Sequence, residues 1–481
     1  MQHRNGDLDV VFHPKSIAVV GASSNTRKSG AKWVLGLKAA GYTGAIYPVS
    51  SSGGTIDGLD IFTSLSAIPN DVEYVIASIP AHSVLQLLDD CISKGVRVVQ
   101  FFTAGFSETG STEGTLLERG MLERAQRADL RIIGPNCIGS FCPEHGIPLG
   151  PSPLGKTGMP GQVSFVSQSG GIAAKLVEYG IGRQIRFSKG ISVGNSIDLD
   201  ASDFLDYFAD DETTRCIGAY LEGSRDGQKL FSSLKHACTS KPTVVWKGGR
   251  TRAGAAAAAS HTGSLASSAP VWSAMLRQAG AIEARDLEEL SDCLLLLQQL
   301  GRFRAKSVTI VGGLADGGGG ISVAGSDACN DNGLAVPPLQ AATREHLLDL
   351  IGEVGSILMN PVDVSPAQFR GLESLFEAIR VVALDGSSDL LIVQEDVDIM
   401  HSFLGVEETR KVNAFLATLP HETGRPLVIV LPSGSAEPDR IEIESDLLEA
   451  GIPVFPSMMR AARSIALVGL HPAGHDSVSL Q

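Results

Sequence analysis

The residues best suited to chemistry lie at positions 254–266, GAAAAASHTGSLA, where His261 stands alone among small, uncharged neighbours. Such flanks bury little apolar surface and leave the backbone free to move. Imidazole is the side chain whose ordinary pKa keeps it a largely neutral nucleophile near pH 7. A histidine so placed suits meeting a ligand better than filling a core. On this stretch alone a second reading stands equally: an Ala-rich helix start or linker with an incidental histidine. Glu222 closes the apolar run 216–221 and precedes Gly223. A carboxylate there orients an imidazole and stabilises its cation, as in a histidine–acid pair, or is a solvated loop acid.

Several turns are built to receive anions. Ser167-Gln168-Ser169-Gly170-Gly171 follows an apolar run and opens a helix. Free amides and the helix dipole, near +0.5 charge, favour a phosphate there, and N-capping by Ser167 or Ser169 is compatible with that role. The spacing is not the Gly-x-Ser-x-Gly of a hydrolase elbow. The first strand–helix turn reads Gly21-Ala22-Ser23-Ser24, followed by Lys28 and Gly30. Small residues let amides approach a phosphate, although an ordinary tight turn has the same composition. It is not GxGxxG, and the next strand ends Tyr47-Pro48-Val49-Ser50 without a carboxylate for a ribose hydroxyl, which disfavours a nicotinamide dinucleotide. Ile79-Pro80, Thr103-Ala104-Gly105-Phe106 and Gly134-Pro135-Asn136-Cys137 end further strands and outline one crevice with these turns. Cys137 has no histidine near it in sequence and reads as a structural thiol. No histidine spacing suits a metal, so no metal ligand is assigned.

Positioning these residues takes a repeated unit of short β-branched strand, Gly-rich turn and amphipathic helix, the pattern of an α/β chain with parallel sheets. Strands are expected at 16–20, 45–49, 74–79, 96–102 and 131–133, with helices at 31–40, 84–94 and 115–128. Their near-continuous apolar character implies burial on both faces, as in a doubly wound sheet. The Pro/Gly-rich passage 148–161 reads as a linker. A second set follows, with strands at 163–166, 185–188, 216–220 and 243–246 and helices from 170, at 227–238, 269–279 and 287–300. After a junction at 301–306, a third set has strands at 308–311, 390–394 and 427–431 and helices at 320–331, 407–419 and 440–450. VSFVSQSGG at 163–171 and VTIVGGLADGGGG at 308–320 open their sets alike, pointing to two related flavodoxin-like domains. The expected limits are 1–150, 151–301 and 302–470, with a disordered tail at 471–481.

The 481 residues carry 53 acidic against 39 basic side chains, a net charge of −14. With no basic run and 5% aromatics, nucleic acid is not an expected partner. The longest apolar runs are strand-length, far short of the roughly 20 residues that span a bilayer, and the first residues lack a signal-peptide layout. No membrane association is expected. Seven cysteines without a CxxC pair suit reduced thiols in a cytoplasmic protein.

One ordered series of motifs resembles a known family. GASS at 21–24, YPVS at 47–50, TAGFSETG at 103–110, GPNCIG at 134–139, SQSGG at 167–171, GNSIDLD at 194–200, YLEGSRDG at 220–227, SHTGSLA at 260–266 and NPVDV at 360–364 look like the NDP-forming acyl-CoA synthetases, relatives of succinyl-CoA synthetase. The resemblance spans roughly residues 10–470 and implies a Rossmann-like CoA-binding domain followed by two succinyl-CoA-synthetase-like flavodoxin domains. It implies an α-type subunit that interconverts acyl-CoA and phosphate with acyl phosphate and CoA, then passes the phosphoryl group to His261. Glu222 becomes the partner of that histidine. Ser167, Gln168, Ser169, Gly170, Gly171 and Gly263 become the phosphate site. Gly21, Ala22, Ser23, Ser24, Lys28, Pro48, Val49, Ser50, Ile79, Pro80, Thr103, Ala104, Gly105 and Asn136 become the coenzyme A site. Too few residues follow Leu300 for both an ATP-grasp module and the third α/β set, so ATP/ADP with Mg is expected on a separate subunit of a hetero-oligomer. The third set reads Gly312-Gly313-Leu314-Ala315-Asp316-Gly317 where relatives carry an Asn-Ser-Gly-Gly-Pro-Gly type of turn, which leaves any second anion site open. A CoA-dependent lyase or transferase on the same scaffold, and a non-catalytic acyl-CoA-binding protein, are the competing readings.

Overall fold

The computed structural model describes residues 8–152, 155–255, 268–314, 319–352, 358–368 and 370–469. It divides into two compact units, Met1–Leu294 and Leu295–Gln481.

The first unit holds two large sheets. In the first, β1 (Ser16–Val20), β2 (Ala45–Val49), β5 (Tyr74–Ala77), β6 (Val98–Phe101) and β7 (Arg131–Ile133) pair in parallel in the order β2-β1-β5-β6-β7. A two-residue hairpin, β3 (Thr55–Ile56) and β4 (Leu59–Asp60), stands apart. β5 and β6 are buried along their whole length, because helices Ser29–Ala39, Val84–Lys94 and Thr112–Arg127 flank the sheet. The chain proceeds outward from β1 in both directions, so a crevice opens at the carboxyl end of β1 and β5.

The second sheet contains β8 (Gly139–Phe141), β9 (Val163–Ser167), β10 (Phe187–Ser192), β11 (Cys216–Leu221), β12 (Thr243–Lys247) and β13 (Ile282–Ala284) in the order β13-β12-β11-β9-β10-β8. All pairs are parallel except β8 with β10. Here the order reverses at β9, which places the ends of β9 and β11 side by side. One continuous core joins the two sheets. Phe12 stacks on Tyr207 at 5.3 Å and meets Phe204 edge-on at 6.1 Å. Arg131 on β7 grips Asp198 with two hydrogen bonds of 3.0 and 3.1 Å, fixing the loop that leads from β10.

The second unit has a parallel sheet of β14 (Val308–Leu314), β15 (Val362–Asp363), β16 (Leu390–Glu395), β17 (Leu427–Val430) and β18 (Val454–Phe455), ordered β15-β14-β16-β17-β18. This is the expected α/β, doubly wound class throughout. Several expected elements shift. The strand expected at 185–188 runs Phe187–Ser192 and buries Lys189 against Asp211 at 3.0 Å. A paired internal charge hides a strand from any reading of apolar runs. Helix Ala201–Asp210, unmarked in the sequence reading, is set by a capping box in which Asp200 and Asp203 serve each other's backbone. β8 joins the second sheet ahead of the passage 148–161. Helices Ala341–Ile351, Leu372–Ala383, Val397–Phe403 and Met458–Gly469 also went unmarked. No helix among the described residues is long and apolar enough to cross a membrane.

Candidate functional site

Two clefts lie at the carboxyl edges of the sheets in the first unit. One, of about 700 Å³, is bordered by Ile79, Pro80, Thr103, Ala104 and Asn136 from the first sheet and by Gln168, Ser169, Gly170 and Gly171 from the second. The first-sheet turns expected to outline one crevice thus contribute to one space, which the SQSGG turn of the second sheet also faces. Thr103 Oγ1 donates to Ile79 O at 2.7 Å, and Asn136 N donates to Thr103 O at 2.8 Å, which ties the strand ends together. The other cleft, of about 660 Å³, contains Glu222 and shares Gln168, Gly194 and Asn195 with the first. Those three residues form the ridge between them. Gly194 is required there: its φ is +52°, and a Cβ would stand 2.3 Å from Pro135 O.

The SQSGG turn is assembled by its own serines. Ser167 Oγ donates to Ser169 O at 2.7 Å, and Ser169 Oγ accepts from Ile172 N at 3.4 Å as the cap of helix Gly170–Gly182. Being the first two helical residues, Gly170 and Gly171 have amides with no intrahelical acceptor. Both residues border the first cleft, so this helix start presents donors and a positive dipole end to it.

The remaining first-sheet candidates lie outside the lining of that cleft. Gly21 N and Ala22 N both donate to Val49 O, at 3.0 and 3.1 Å, so these two amides are already bonded within the turn. Gly21 has φ +95° and passes so near Ser78 that a Cβ would lie 2.1 Å from its carbonyl oxygen. Ser23 Oγ accepts from Asn25 N, and Ser24 and Lys28 are exposed, with Lys28 preceding helix Ser29–Ala39. Pro48 and Val49 are buried in β2, and Ser50 N donates to Phe62 O. Gly105 N donates to the Glu108 carboxylate at 2.6 Å. None of these nine residues borders the 700 Å³ cleft.

Glu222 is held from three sides. Gln168 Oε1 accepts from Glu222 N at 2.5 Å and Gly223 N at 3.0 Å, while Gln168 Nε2 donates to Gly223 O at 2.9 Å. Buried Lys247, at the end of β12, donates to Glu222 O at 2.9 Å and lies 5.0 Å from the Trp272 ring centroid. Burial pulls the Lys247 ammonium below its usual range against the opposing pull of the Glu222 charge. Tyr220 donates its hydroxyl to Glu222 Oε1 at 3.1 Å. Burial, and then the Glu222 charge, push that phenol far above its ordinary pKa, so it stays a donor. Glu222 Oε2 is buried and has no hydrogen-bond partner among the described residues. β12 pairs with β11 in register up to Leu221 with Lys247, so the chain that runs on toward His261 leaves the sheet beside Glu222. His261 and Gly263 themselves lie outside the described residues.

Sequence reasoning missed three contributors. Asn195 donates from Nδ2 to Glu108 Oε2 at 2.6 Å and to Glu118 Oε1 at 2.8 Å, locking the TAGFSETG loop to the GNSIDLD loop. Burial alone would raise the Glu108 carboxyl, but bonds donated by Gly105, Asn195 and Phe106 hold it below the usual range. Lys247 was the third. Its signal was a lone basic residue closing an apolar strand. Cys137 is buried, with its thiol pushed up to about 12 by burial, and is a structural residue.

This arrangement matches known families. Residues 15–143 match the CoA binding domain family, and residues 160–297 match the succinyl-CoA ligase like flavodoxin domain family. The fold and these modules define a CoA ligase. The α subunit of acetate–CoA ligase [ADP-forming] I of Pyrococcus furiosus is 34% identical over 480 residues, covering 95% of this chain and 96% of its own. Acetate–CoA ligase [ADP-forming] I of Archaeoglobus fulgidus is 33% identical over 462 residues, covering 96% of this chain but 63% of that longer protein. The dinucleotide-forming acetyl-coenzyme A synthetase 1 of Ca. Korarchaeum cryptofilum, solved with phosphate and ADP, superposes with a TM-score of 0.82 at 27% identity over 96% of each chain. The chain belongs to the ADP-forming acyl-CoA ligase family, acid–thiol ligases, as an α-type subunit.

Proposed function

We propose that the chain works by way of an acyl phosphate and a phosphohistidine at His261, together with a subunit that binds the nucleotide. In the direction that consumes acyl-CoA, a phosphate oxygen attacks the thioester carbonyl. The C–S bond breaks, CoA leaves as the thiol, and acyl phosphate forms. A ring nitrogen of His261 then takes the phosphoryl group as the carboxylate leaves, and an oxygen of ADP takes it in turn from the imidazole. The ligase direction is the reverse. Such transfers need positioning and charge stabilisation more than covalent machinery.

One observation carries this reading: Glu222 presents a buried carboxylate oxygen, unpartnered among the described residues, at the sheet edge from which the chain departs toward His261. An imidazole N–H satisfies that oxygen, and the carboxylate stabilises the charge the ring gains on phosphorylation. The amides of Gly170 and Gly171, with Ser167, Gln168, Ser169 and Gly263, hold the phosphate. The residues of the 700 Å³ cleft take the pantetheine end of CoA, a mostly apolar chain suited to Ile79, Pro80 and Ala104. Gly21, Ala22, Ser23, Ser24, Lys28, Pro48, Val49, Ser50 and Gly105 shape the rim for the rest of the coenzyme. Because the Gly21 and Ala22 amides serve Val49, that contribution comes from close backbone approach and from exposed Ser24 and Lys28.

ATP/ADP with Mg belongs to an ATP-grasp partner subunit in a hetero-oligomer. The subunit name of the Pyrococcus relative and the greater length of the Archaeoglobus one support this. Three sheets support a reading with domains at 1–150, 151–301 and 302–470 and a tail at 471–481, although β8, inside the first span, pairs in the second sheet, and the seven free cysteines support a cytoplasmic setting. The deciding experiment incubates the protein with phosphate and acetyl-CoA and maps phosphopeptides under non-acidic conditions. Acetyl-CoA-dependent label on His261, lost in Glu222→Gln, is the expected result. Label that is absent, or elsewhere, overturns the reading.

A further inference from the structure

Gln168 and Lys247 hold the backbone of Glu222, not its side chain. They fix where the side chain starts and leave its torsions free. Among the described residues the carboxylate itself has one hydrogen-bond partner, the Tyr220 hydroxyl at 3.1 Å from Oε1, while Oε2 is buried without one. The phenol is well anchored in turn. Its ring meets Trp246, its neighbour in register on β12, edge-on at 4.6 Å. Its hydroxyl lies against Gly248, where a Cβ would stand 2.3 Å from the phenolic oxygen, so only glycine leaves the hydroxyl this position. Tyr220 O accepts from Gln168 N at 3.1 Å, which joins the same residue to the SQSGG turn. Burial, and then the Glu222 charge, keep the phenol protonated and able to donate.

We propose that Tyr220 is a positioning residue for phosphoryl transfer: by occupying Oε1 of Glu222 it reserves Oε2 for the imidazole of His261. The inference rests on the phosphohistidine reading above. The contact ties the carboxylate to β12, the strand from which the chain runs on toward His261, so the acid and the root of that segment share one anchor. Without the hydroxyl the two carboxylate oxygens become equivalent and the side chain samples other rotamers. Fewer arrivals of the imidazole then find an acceptor in place. Tyr220 borders neither cleft, so its effect reaches the reaction through Glu222 and not through the coenzyme.

Time-resolved labelling of His261 from labelled phosphate, followed in the whole chain across acetyl-CoA concentrations, tests this. Tyr220→Phe keeps the ring against Trp246 and removes only the hydroxyl. It should lower the saturating rate of label formation roughly tenfold, while the acetyl-CoA concentration giving half that rate stays within about twofold. A saturating rate within about twofold of the wild-type value overturns the positioning role alone. So does a fall in rate matched by an equal rise in the half-saturating concentration, which marks a general structural defect. A wild-type protein that takes no label on His261 overturns the phosphohistidine reading and the role of Tyr220 with it.

Discussion

Gln168 and Glu222 show how a single side chain is made ready for chemistry. Gln168, in the SQSGG turn, makes three hydrogen bonds to the Glu222–Gly223 backbone, which under the proposed function makes it a positioning residue. Gln168→Ala should lower kcat by roughly tenfold or more and cost much less in CoA affinity, because its three backbone bonds set the position of Glu222 whereas it is one of many residues bordering the 700 Å³ cleft. Steady-state kinetics beside direct CoA titration separates these, and equal losses in both would refute a positioning role. Cys137 supplies a prediction of the opposite kind. With its thiol near 12 and buried, it should resist iodoacetamide at about pH 8 in the native protein and react only on unfolding. Peptide mapping after alkylation is the check.

At the level of the element, strands deliver charged groups to places where water cannot follow. β16 ends in Glu395, which is fully buried, and burial pushes its carboxyl up to about 8 against the smaller pull of the Asn413 amide. A carboxyl whose pKa is higher folded than unfolded binds its proton more tightly in the native state. It therefore favours folding least at high pH. Stability from this group falls as pH rises from the ordinary value of 4.5 to about 8, and the loss is complete above that. Glu395→Gln should leave stability nearly unchanged near pH 5 and raise it near about pH 9, flattening the profile. Urea titrations of both proteins across that range measure the difference. A variant that tracks the wild-type pH profile would show that Glu395 is not the titrating group.

On the scale of the whole molecule, the first unit joins its two sheets through a shared core, and the clefts arise where their edges meet. CoA binding should therefore stabilise this unit as a body. At a hundred times its Kd, the gain is about 2.7 kcal/mol, visible as a rise in the midpoint of thermal unfolding. His261→Ala should keep that stabilisation, since the coenzyme cleft is built from other residues. The same variant should lose ADP-dependent acyl-CoA turnover in the presence of a nucleotide-binding subunit. Retention of full turnover would remove His261 from the mechanism.

The alternation of apolar strand, small-residue turn and helix was sufficient to specify a parallel α/β chain, because burial on both faces leaves a continuous apolar run that survives in sequence. Local chemistry was legible for the same reason: the SQSGG turn caps its own helix with residues adjacent in the chain. Helix Ala201–Asp210 was legible in principle from Asp200 and Asp203, while β10 was concealed by a lysine whose compensating aspartate lies 22 residues on. Tertiary structure alone decided the rest. That Gln168 would grip the backbone of Glu222 across 54 residues, that Lys247 would brace it from the next strand, and that Asn195 would bind two glutamates from the loop and helix that follow β6 are matters of strand order. Strand order is set by which faces bury together, and a periodic pattern states that a face is apolar without naming its neighbour.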